Sequence, residues 1–225
     1  MQKVRVAVGT TQFDLRSVEI PLILESLIPG GESWEIEVGF GRGRYLLRRA
    51  AAEPHLRFLG IELASEYFDL VRRRLIQRGL HNVVLLRGEA LFILASVLPA
   101  KITRCLHIYF PDPWPKARHS RRRLLDTETV DLVLRLLVPG GRIFFATDFL
   151  EYGGRVQEVL DTHPGVRVEE QSGLWPDGFR TNYEAKYAAE GRPILRLIVT
   201  REQSCESSGS LLHPAAAAAI LAATS

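Results

Sequence analysis

Short apolar runs that stop at small or acidic residues punctuate this chain, and amphipathic stretches fill the gaps between them. Runs at 36–38, 56–61, 83–86, 106–110 and 143–145 read as strands. The first enters a glycine-rich turn. The others run into Glu62, Gly88-Glu89, Pro111-Asp112 and Thr147-Asp148. Apolar residues recurring at a 3.6 period predict helices over 44–52, 65–78, 91–98, 126–137 and 152–162. Strand and helix alternating at this spacing predict an α/β domain with a mainly parallel sheet. Two later runs, 166–169 and 195–200, are separated by a long loop (171–192) without a clear helical pattern. They are expected to pair as an antiparallel hairpin at one sheet edge, giving seven strands with the last reversed.

The two ends differ from this core. Residues 1–33 form an N-terminal extension of unassigned role, with one strand candidate at 4–8 and an apolar stretch at 18–28. Residues 34–202 form the main domain. From 203 to 225 the chain is rich in Ser, Gly and Ala, with alanine at every position from 215 to 219. A helix there would be shorter than the roughly 12–15 residues that persist alone in water, so a disordered tail is expected.

At 225 residues, 46% hydrophobic and 24% charged, the chain has an ordinary globular composition. Collagen-like, coiled-coil and fully disordered classes are excluded. No apolar run reaches the roughly 20 residues a bilayer requires, and the first residues lack a signal-peptide pattern. Cys105 and Cys205 are too few for a disulfide scaffold, so a reducing, cytoplasmic setting is expected. Net charge is only +3, yet 25 of the 29 basic residues are arginine. Guanidinium forks match phosphate and stack on bases, which points toward nucleic acid. Codon bias toward arginine explains the same count, so placement must decide.

Placement begins with Glu37-Val38-Gly39-Phe40-Gly41-Arg42-Gly43, at a strand end before a helix. Alternate glycines let the backbone turn sharply and approach a ligand. Some twenty residues later Gly60-Ile61-Glu62 puts an acid at the end of the next strand, where a carboxylate accepts both hydroxyls of a ribose. A nucleoside-containing cofactor follows. The turn reads G-x-G-x-G rather than G-x-G-x-x-G, and the carboxylate of Glu37 repels a pyrophosphate while suiting a cationic amino group. S-adenosyl-L-methionine fits better than a dinucleotide, and Glu89 after the third strand offers an acceptor for the adenine amino group.

The second segment is Pro111-Asp112-Pro113-Trp114-Pro115-Lys116-Ala117-Arg118-His119-Ser120-Arg121-Arg122-Arg123. Its prolines hold Asp112 at a fixed place beside the cofactor edge. Lys116, Arg118, Arg121, Arg122 and Arg123 then supply five cations in eight residues, an electrostatic footprint for a phosphate backbone. The bland alternative is a solvated charge run at a helix start.

Together with Thr147-Asp148 and Thr181-Asn182-Tyr183-Glu184-Ala185-Lys186, these elements resemble the bacterial tRNA (guanine-N7-)-methyltransferase family, usually called TrmB, over about residues 34–200. The resemblance implies a Rossmann-like class I S-adenosylmethionine-dependent methyltransferase fold. It also implies methyl transfer to N7 of a variable-loop guanosine in tRNA. Residue by residue, it implies cofactor contacts at Glu37, Gly39, Gly41, Gly43, Glu62, Glu89 and Asp112, with Asp112 also catalytic. It implies substrate contacts at Lys116, Asp148, Thr181, Asn182, Tyr183 and Glu184. Two departures stand out. Glu89 replaces the usual aspartate, and the N-terminal segment lacks an arginine-rich lead.

Methylation at N7 uses an in-plane lone pair and releases no proton from that atom, so a strong base is unnecessary. Alignment and stabilisation of positive charge on the purine are the main tasks. Acids among many arginines suit that division: cations hold phosphates, while Asp112, Asp148 and Glu184 read the base. Cys105 and His107 read as packed strand residues, and no histidine spacing suggests a metal site. Trp175 and Phe179 form either a flap over the base or a cap on the sheet edge. Two competing readings are a methyltransferase acting on an exocyclic amine, with a D-P-P-Y-like motif, and an RNA-binding protein that has lost catalysis. The Trp-Pro-Lys continuation argues against the first. The intact Glu37, Gly39, Gly41, Glu62 and Asp112 argue against the second.

Overall fold

The computed structural model describes residues 4–14, 20–30, 33–112 and 123–202. The sequence motif from Pro113 to Arg122, with Lys116, Arg118, Arg121 and Arg122, lies outside the described residues, as does the segment 203–225 expected to be disordered.

Five parallel strands form the centre: β3 (Trp34–Val38), β4 (Arg57–Glu62), β5 (Val83–Arg87), β6 (Thr103–Tyr109) and β7 (Leu137–Thr147). Their near-continuous apolar runs are those of strands covered on both faces. The helices that cover them are α2 (Arg44–Ala52), α3 (Ser65–Gln77), α4 (Ala90–Phe92) running into a π-type turn at Ile93–Val97, α5 (Val130–Leu134) and α6 (Leu150–Asp161). On one face Leu46, Leu47, Phe68 and Val71 of α2 and α3 pack with Phe58 and Leu85. On the other, Leu94, Val133, Tyr152 and Val156 pack with Ile36, Leu106 and Phe145. Two layers of helix thus enclose the sheet.

The strand order is β2-β1-β5-β4-β3-β6-β7-β9-β8. Beyond β7, β9 (Leu195–Arg201) runs antiparallel to both β7 and β8 (Val166–Glu170), so the reversed strand and edge hairpin occur as expected. Three expectations need correction. Among the described residues the sheet has nine strands, not seven, because the segment before residue 34 adds two. It supplies β1 (Arg5–Val8) and β2 (Thr11–Asp14), an antiparallel pair that joins the sheet through β5. Gly9 adopts φ +55° in the two-residue connection, a conformation suited to a tight hairpin. A short helix α1 (Leu24–Leu27) follows, burying Leu24. The loop at 171–192 also holds a helix, α7 (Asn182–Ala189). The helix predicted over 126–137 is shorter, since β7 already begins at Leu137.

Candidate active site

Strand order places β4 on one side of β3 and β6 on the other, so β3 and β6 border the point where connections change direction. Ligands of open α/β sheets bind outside the carboxyl ends of the strands at such a crevice. Here that edge carries the loop after β3, Glu62 ending β4, Glu89 after β5, Pro111-Asp112 after β6 and Asp148 after β7.

The glycine turn has a physical reason for each glycine. Gly39, Gly41 and Gly43 adopt φ +72°, +50° and +71°, values costly for other residues. A Cβ on Gly43 would meet Val71 Cγ2 at 2.7 Å, so this glycine also lets α2 pack on α3. Gly39 and Gly41 instead face open space, leaving bare backbone for a ligand to approach. Glu62 fixes the turn: the Gly41 N–H donates to its Oε2 at 2.8 Å, and the Leu63 and Ala64 N–H groups donate to its Oε1 at 2.8 and 3.0 Å.

Glu37 points into this region from β3. Its side chain is buried, and its Oε2 has no hydrogen-bond partner among the described residues. Burial pushes its carboxyl up to about 8, against a partly offsetting backbone hydrogen bond from Leu46 and with the added repulsion of Glu62. An orphaned buried carboxylate is costly unless a cation completes it. The residues present therefore fit a ligand that brings a cationic group to Glu37.

Asp112 is exposed after β6. Two residues before it, Phe110 holds φ +51°, a left-handed conformation that costs a non-glycine residue about 1–2 kcal/mol. Its N–H donates to Ala146 O at 2.7 Å, tying the kink to β7. Such strain occurs where surrounding structure over-determines it, often at functional sites.

Of the C-terminal motif, Thr181 caps α7, its Oγ1 accepting from the Glu184 N–H at 2.9 Å. Asn182 Oδ1 accepts from Arg44 Nη1 at 3.2 Å, which sets it beside the residue that follows Gly43. Tyr183 is 55% exposed. Asp148 accepts from Arg192 Nη1 at 3.3 Å. The motif thus converges on the same edge as Phe110 and Asp112.

Two expected contacts do not fit the structure, and a third residue is held by its own chain. Glu184 is 0% exposed: its Oε2 accepts the Arg180 N–H and its Oε1 accepts Arg196 Nε, both at 2.7 Å. It secures the loop and has no free oxygen turned to a base. Arg123 is buried, 3.6 Å from Asp126 with its guanidinium 5.8 Å above the Tyr152 ring, so it packs in the core rather than on phosphate. Glu89 caps α4, its oxygens accepting from Leu91 N–H at 3.0 Å and Phe92 N–H at 2.6 Å. Each of its oxygens keeps a second lone pair, so this cap holds Glu89 in place without excluding an adenine contact.

Sequence reasoning missed Arg180. Its guanidinium is enclosed by Trp175, Phe144, Tyr45 and Tyr109, 4.4 to 5.9 Å from their ring centres. Nη1 donates to the Tyr109 hydroxyl at 2.7 Å and Nε to Asp177 at 2.9 Å. The Tyr109 hydroxyl lies 2.9 Å from His107 Nδ1, and His107 Nε2 lies 3.4 Å from Glu35. The Glu35 carboxylate can only accept, so the imidazole proton sits on Nε2, and Nδ1 accepts from the Tyr109 hydroxyl. Burial holds His107 neutral by lowering its pKa. Burial works to raise the Glu35 carboxyl, but the hydrogen bonds of His107 and Arg49 outweigh it and draw it down to about 2. His107 is packed, as expected, and buried Trp175 caps the sheet rather than forming a flap. Adjacency to Thr181 was the only sequence signal for Arg180.

A strained strand exit, a glycine cradle and an unpaired buried carboxylate at the switch point of this sheet mark an α/β ligand-binding site. Comparison narrows this. A family described as "Putative methyltransferase" matches residues 32–197. The aminoglycoside-resistance methyltransferase NpmB1 superposes with TM-score 0.59 at 20% identity, covering 88% of this chain and 99% of that one. The 16S rRNA methyltransferase KamB gives 0.63 at 16% identity, covering 88% and 99%. At such identity these show the shared fold.

The tRNA (guanine-N(7)-)-methyltransferase of Nitrosococcus oceani is 36% identical over 174 residues, 77% of this chain and 74% of its own length. That of Treponema pallidum (strain Nichols) is 39% identical over 162 residues, 72% of this chain. The match spans 64% of the Treponema protein's length. The chain belongs to the tRNA (guanine-N(7)-)-methyltransferase family. Among the described residues, no helix is long and apolar enough to cross a membrane.

Proposed function

We propose that this protein transfers a methyl group from S-adenosylmethionine to N7 of a variable-loop guanosine in tRNA, acting in the cytoplasm. The observation that carries this reading is Glu37, buried with one oxygen unpartnered beside the open backbone of Gly39 and Gly41. Its carboxylate holds the cofactor's amino group, Gly39 and Gly41 admit the chain of the amino acid, and Glu62 accepts ribose hydroxyls on lone pairs its amide donors leave free. S-adenosylmethionine supplies an electrophilic methyl group on a sulfonium.

The N7 lone pair forms the new N–C bond as the methyl–sulfur bond breaks. Positive charge passes from sulfur to the purine, and no proton leaves N7. Asp112, exposed at the same edge, supplies a fixed counter-charge. Asp148, Thr181, Asn182 and Tyr183 meet the guanosine, and the cations from Lys116 to Arg122 meet phosphates.

Incubation with methyl-labelled cofactor and bulk tRNA, followed by chemical cleavage at 7-methylguanosine, tests the reading. Cleavage in the variable loop is expected. Label without such cleavage would leave methyl transfer and remove the N7 assignment. Asp112→Asn is expected to lower turnover at least tenfold, about 1.4 kcal/mol in the barrier, with tRNA affinity nearly unchanged. Equal turnover would show that charge is not what Asp112 supplies.

A further inference from the structure

Beside Asp112 three aromatic rings meet. Phe110 lies 6.3 Å from Tyr183 and 5.6 Å from Tyr187, centre to centre, and Tyr183 lies 5.8 Å from Tyr187. They form a small aromatic shelf, and its members are not equivalent. Tyr187 is covered: Arg192 stacks 4.4 Å above its ring, and Lys186 lies 5.8 Å away. Arg192 is in turn tethered to Asp148 and Glu190. Among the described residues no cation lies over Tyr183, and its side chain is more than half exposed. The exposed ring, backed by two others, presents an open face on which a planar group can stack.

Its position says what stacks. On one side Asn182 is hydrogen-bonded to Arg44, the first residue after the glycine turn. On the other, Phe110 holds its strained backbone two residues before Asp112. Tyr183 therefore sits between the cofactor edge and the exposed carboxylate, where the methyl-accepting base must enter. A purine pulled from a stack seeks an aromatic face, and every base presents one.

The chemistry adds a direction. Before transfer the guanine is neutral, and afterwards its imidazole ring carries a positive charge. A tyrosine ring presents a negative π face, which attracts a cation more than the neutral ring it came from. Attraction that grows along the reaction coordinate lowers the barrier, whereas attraction to both states alike does not.

We propose that Tyr183, backed by Phe110 and Tyr187, is the stacking face for the target guanine and binds it most strongly as N7 becomes methylated. Tyr183 is thus a catalytic residue that complements Asp112: the carboxylate meets the developing charge at a distance and the ring meets it face to face. The assignment rests on the N7-methyltransferase reading. Its consequence is a preference for the methylated, cationic base over the neutral one, with product release correspondingly slowed.

The test uses the full chain with S-adenosylhomocysteine bound, titrated with 7-methylguanosine 5′-monophosphate and with guanosine 5′-monophosphate. The wild type is expected to favour the methylated nucleotide by about tenfold, the scale of a partly desolvated cation–π contact. Tyr183→Phe keeps the π face and should retain that ratio within about threefold, whereas Tyr183→Leu should bring it close to one. Single-turnover methylation of tRNA should fall about tenfold in Tyr183→Leu, with tRNA affinity altered far less. S-adenosylhomocysteine affinity controls for folding, and it should be equal in all three proteins. An unchanged nucleotide ratio and turnover in a folded Tyr183→Leu protein would overturn the role of Tyr183. If the wild type itself makes no 7-methylguanosine in tRNA, the underlying reading fails first, and the two failures are thereby distinguished.

Discussion

Glu37 and Glu184 are both buried carboxylates near the carboxyl edge of the sheet, yet the chain treats them in opposite ways. Glu184 is satisfied on both oxygens, by the Arg180 amide and the Arg196 guanidinium. Glu37 keeps an oxygen with no partner among the described residues, and the charge of Glu62 repels its ionised form. A charge completed by the protein's own groups holds structure in place. A carboxyl left incomplete beside bare glycine backbone keeps the capacity to bind. Identical chemistry at the two positions therefore carries two functions, and the arrangement of partners decides which.

The comparison breaks most visibly in stability. Glu184→Ala strands Arg196 as an uncompensated buried cation, and loss of one partner of such a pair costs about 3–5 kcal/mol. Urea unfolding should show that drop, together with loosening of the segment that carries Tyr183. Glu37→Gln removes a group whose ionisation burial opposes, so near pH 7 it should unfold at or above the wild-type denaturant concentration. A similar loss in both variants would erase the distinction.

Glu62 lies between these extremes, since it serves the turn and the ligand together. Glu62→Ala removes the acceptor of three amide protons as well as the proposed ribose contact. Hydrogen bonds to a charged group contribute about 1.5–3 kcal/mol each, so cofactor affinity should fall by at least about tenfold in calorimetric titration. Unchanged affinity in a folded variant would remove Glu62 from the cofactor site.

The smallest effect is expected at Arg48, which joins α2 to the loop before α7. It bonds the Asp177 carboxylate at 2.6 Å and the carbonyls of Asp177 and Phe179 at 3.2 and 3.3 Å. Both partners of the ion pair are 41% exposed, and exposed pairs contribute about 0–1 kcal/mol. Arg48→Ala should shift unfolding by no more than that. A larger loss would mean that the clamp matters beyond its charge.

The same contrast explains what could be read in the chain. The helix at Arg44–Ala52 falls where its apolar period puts it, and the glycine turn has the positive φ angles its spacing implies. Both rest on residues a few positions apart. Glu184 was misassigned because its function is set by Arg196, twelve residues on and on another element. Arg180 takes its meaning from Tyr109, 71 residues away. Helix α7 escaped notice because it buries little apart from Glu184, leaving no apolar stripe. Thr181 and Glu184 did carry a signal, the Thr-x-x-Glu spacing of a helix start. The β1–β2 hairpin was half seen, since β2 is largely exposed and lacks a continuous apolar run.

The central claim is that Glu37 is held incomplete for a cationic cofactor, and its proton gives the most direct test. Burial first, and then the Glu62 charge, raise its carboxyl from an ordinary value near 4.5 to about 8. The folded chain therefore binds this proton more tightly than the unfolded chain. The stability that Glu37 contributes is complete below about pH 4.5 and is lost progressively as pH rises toward 8. At pH 6 the free protein holds Glu37 neutral, and a cationic amino group binds best to the ionised form, so binding must release the proton. Calorimetric titration of S-adenosylmethionine at pH 6 in buffers of different ionisation enthalpy counts that proton. About one released per cofactor bound is expected, with affinity rising about tenfold per pH unit from 5.5 to 7 and both effects absent in Glu37→Gln. Binding that releases no proton and is flat across that range in the wild type would contradict the account.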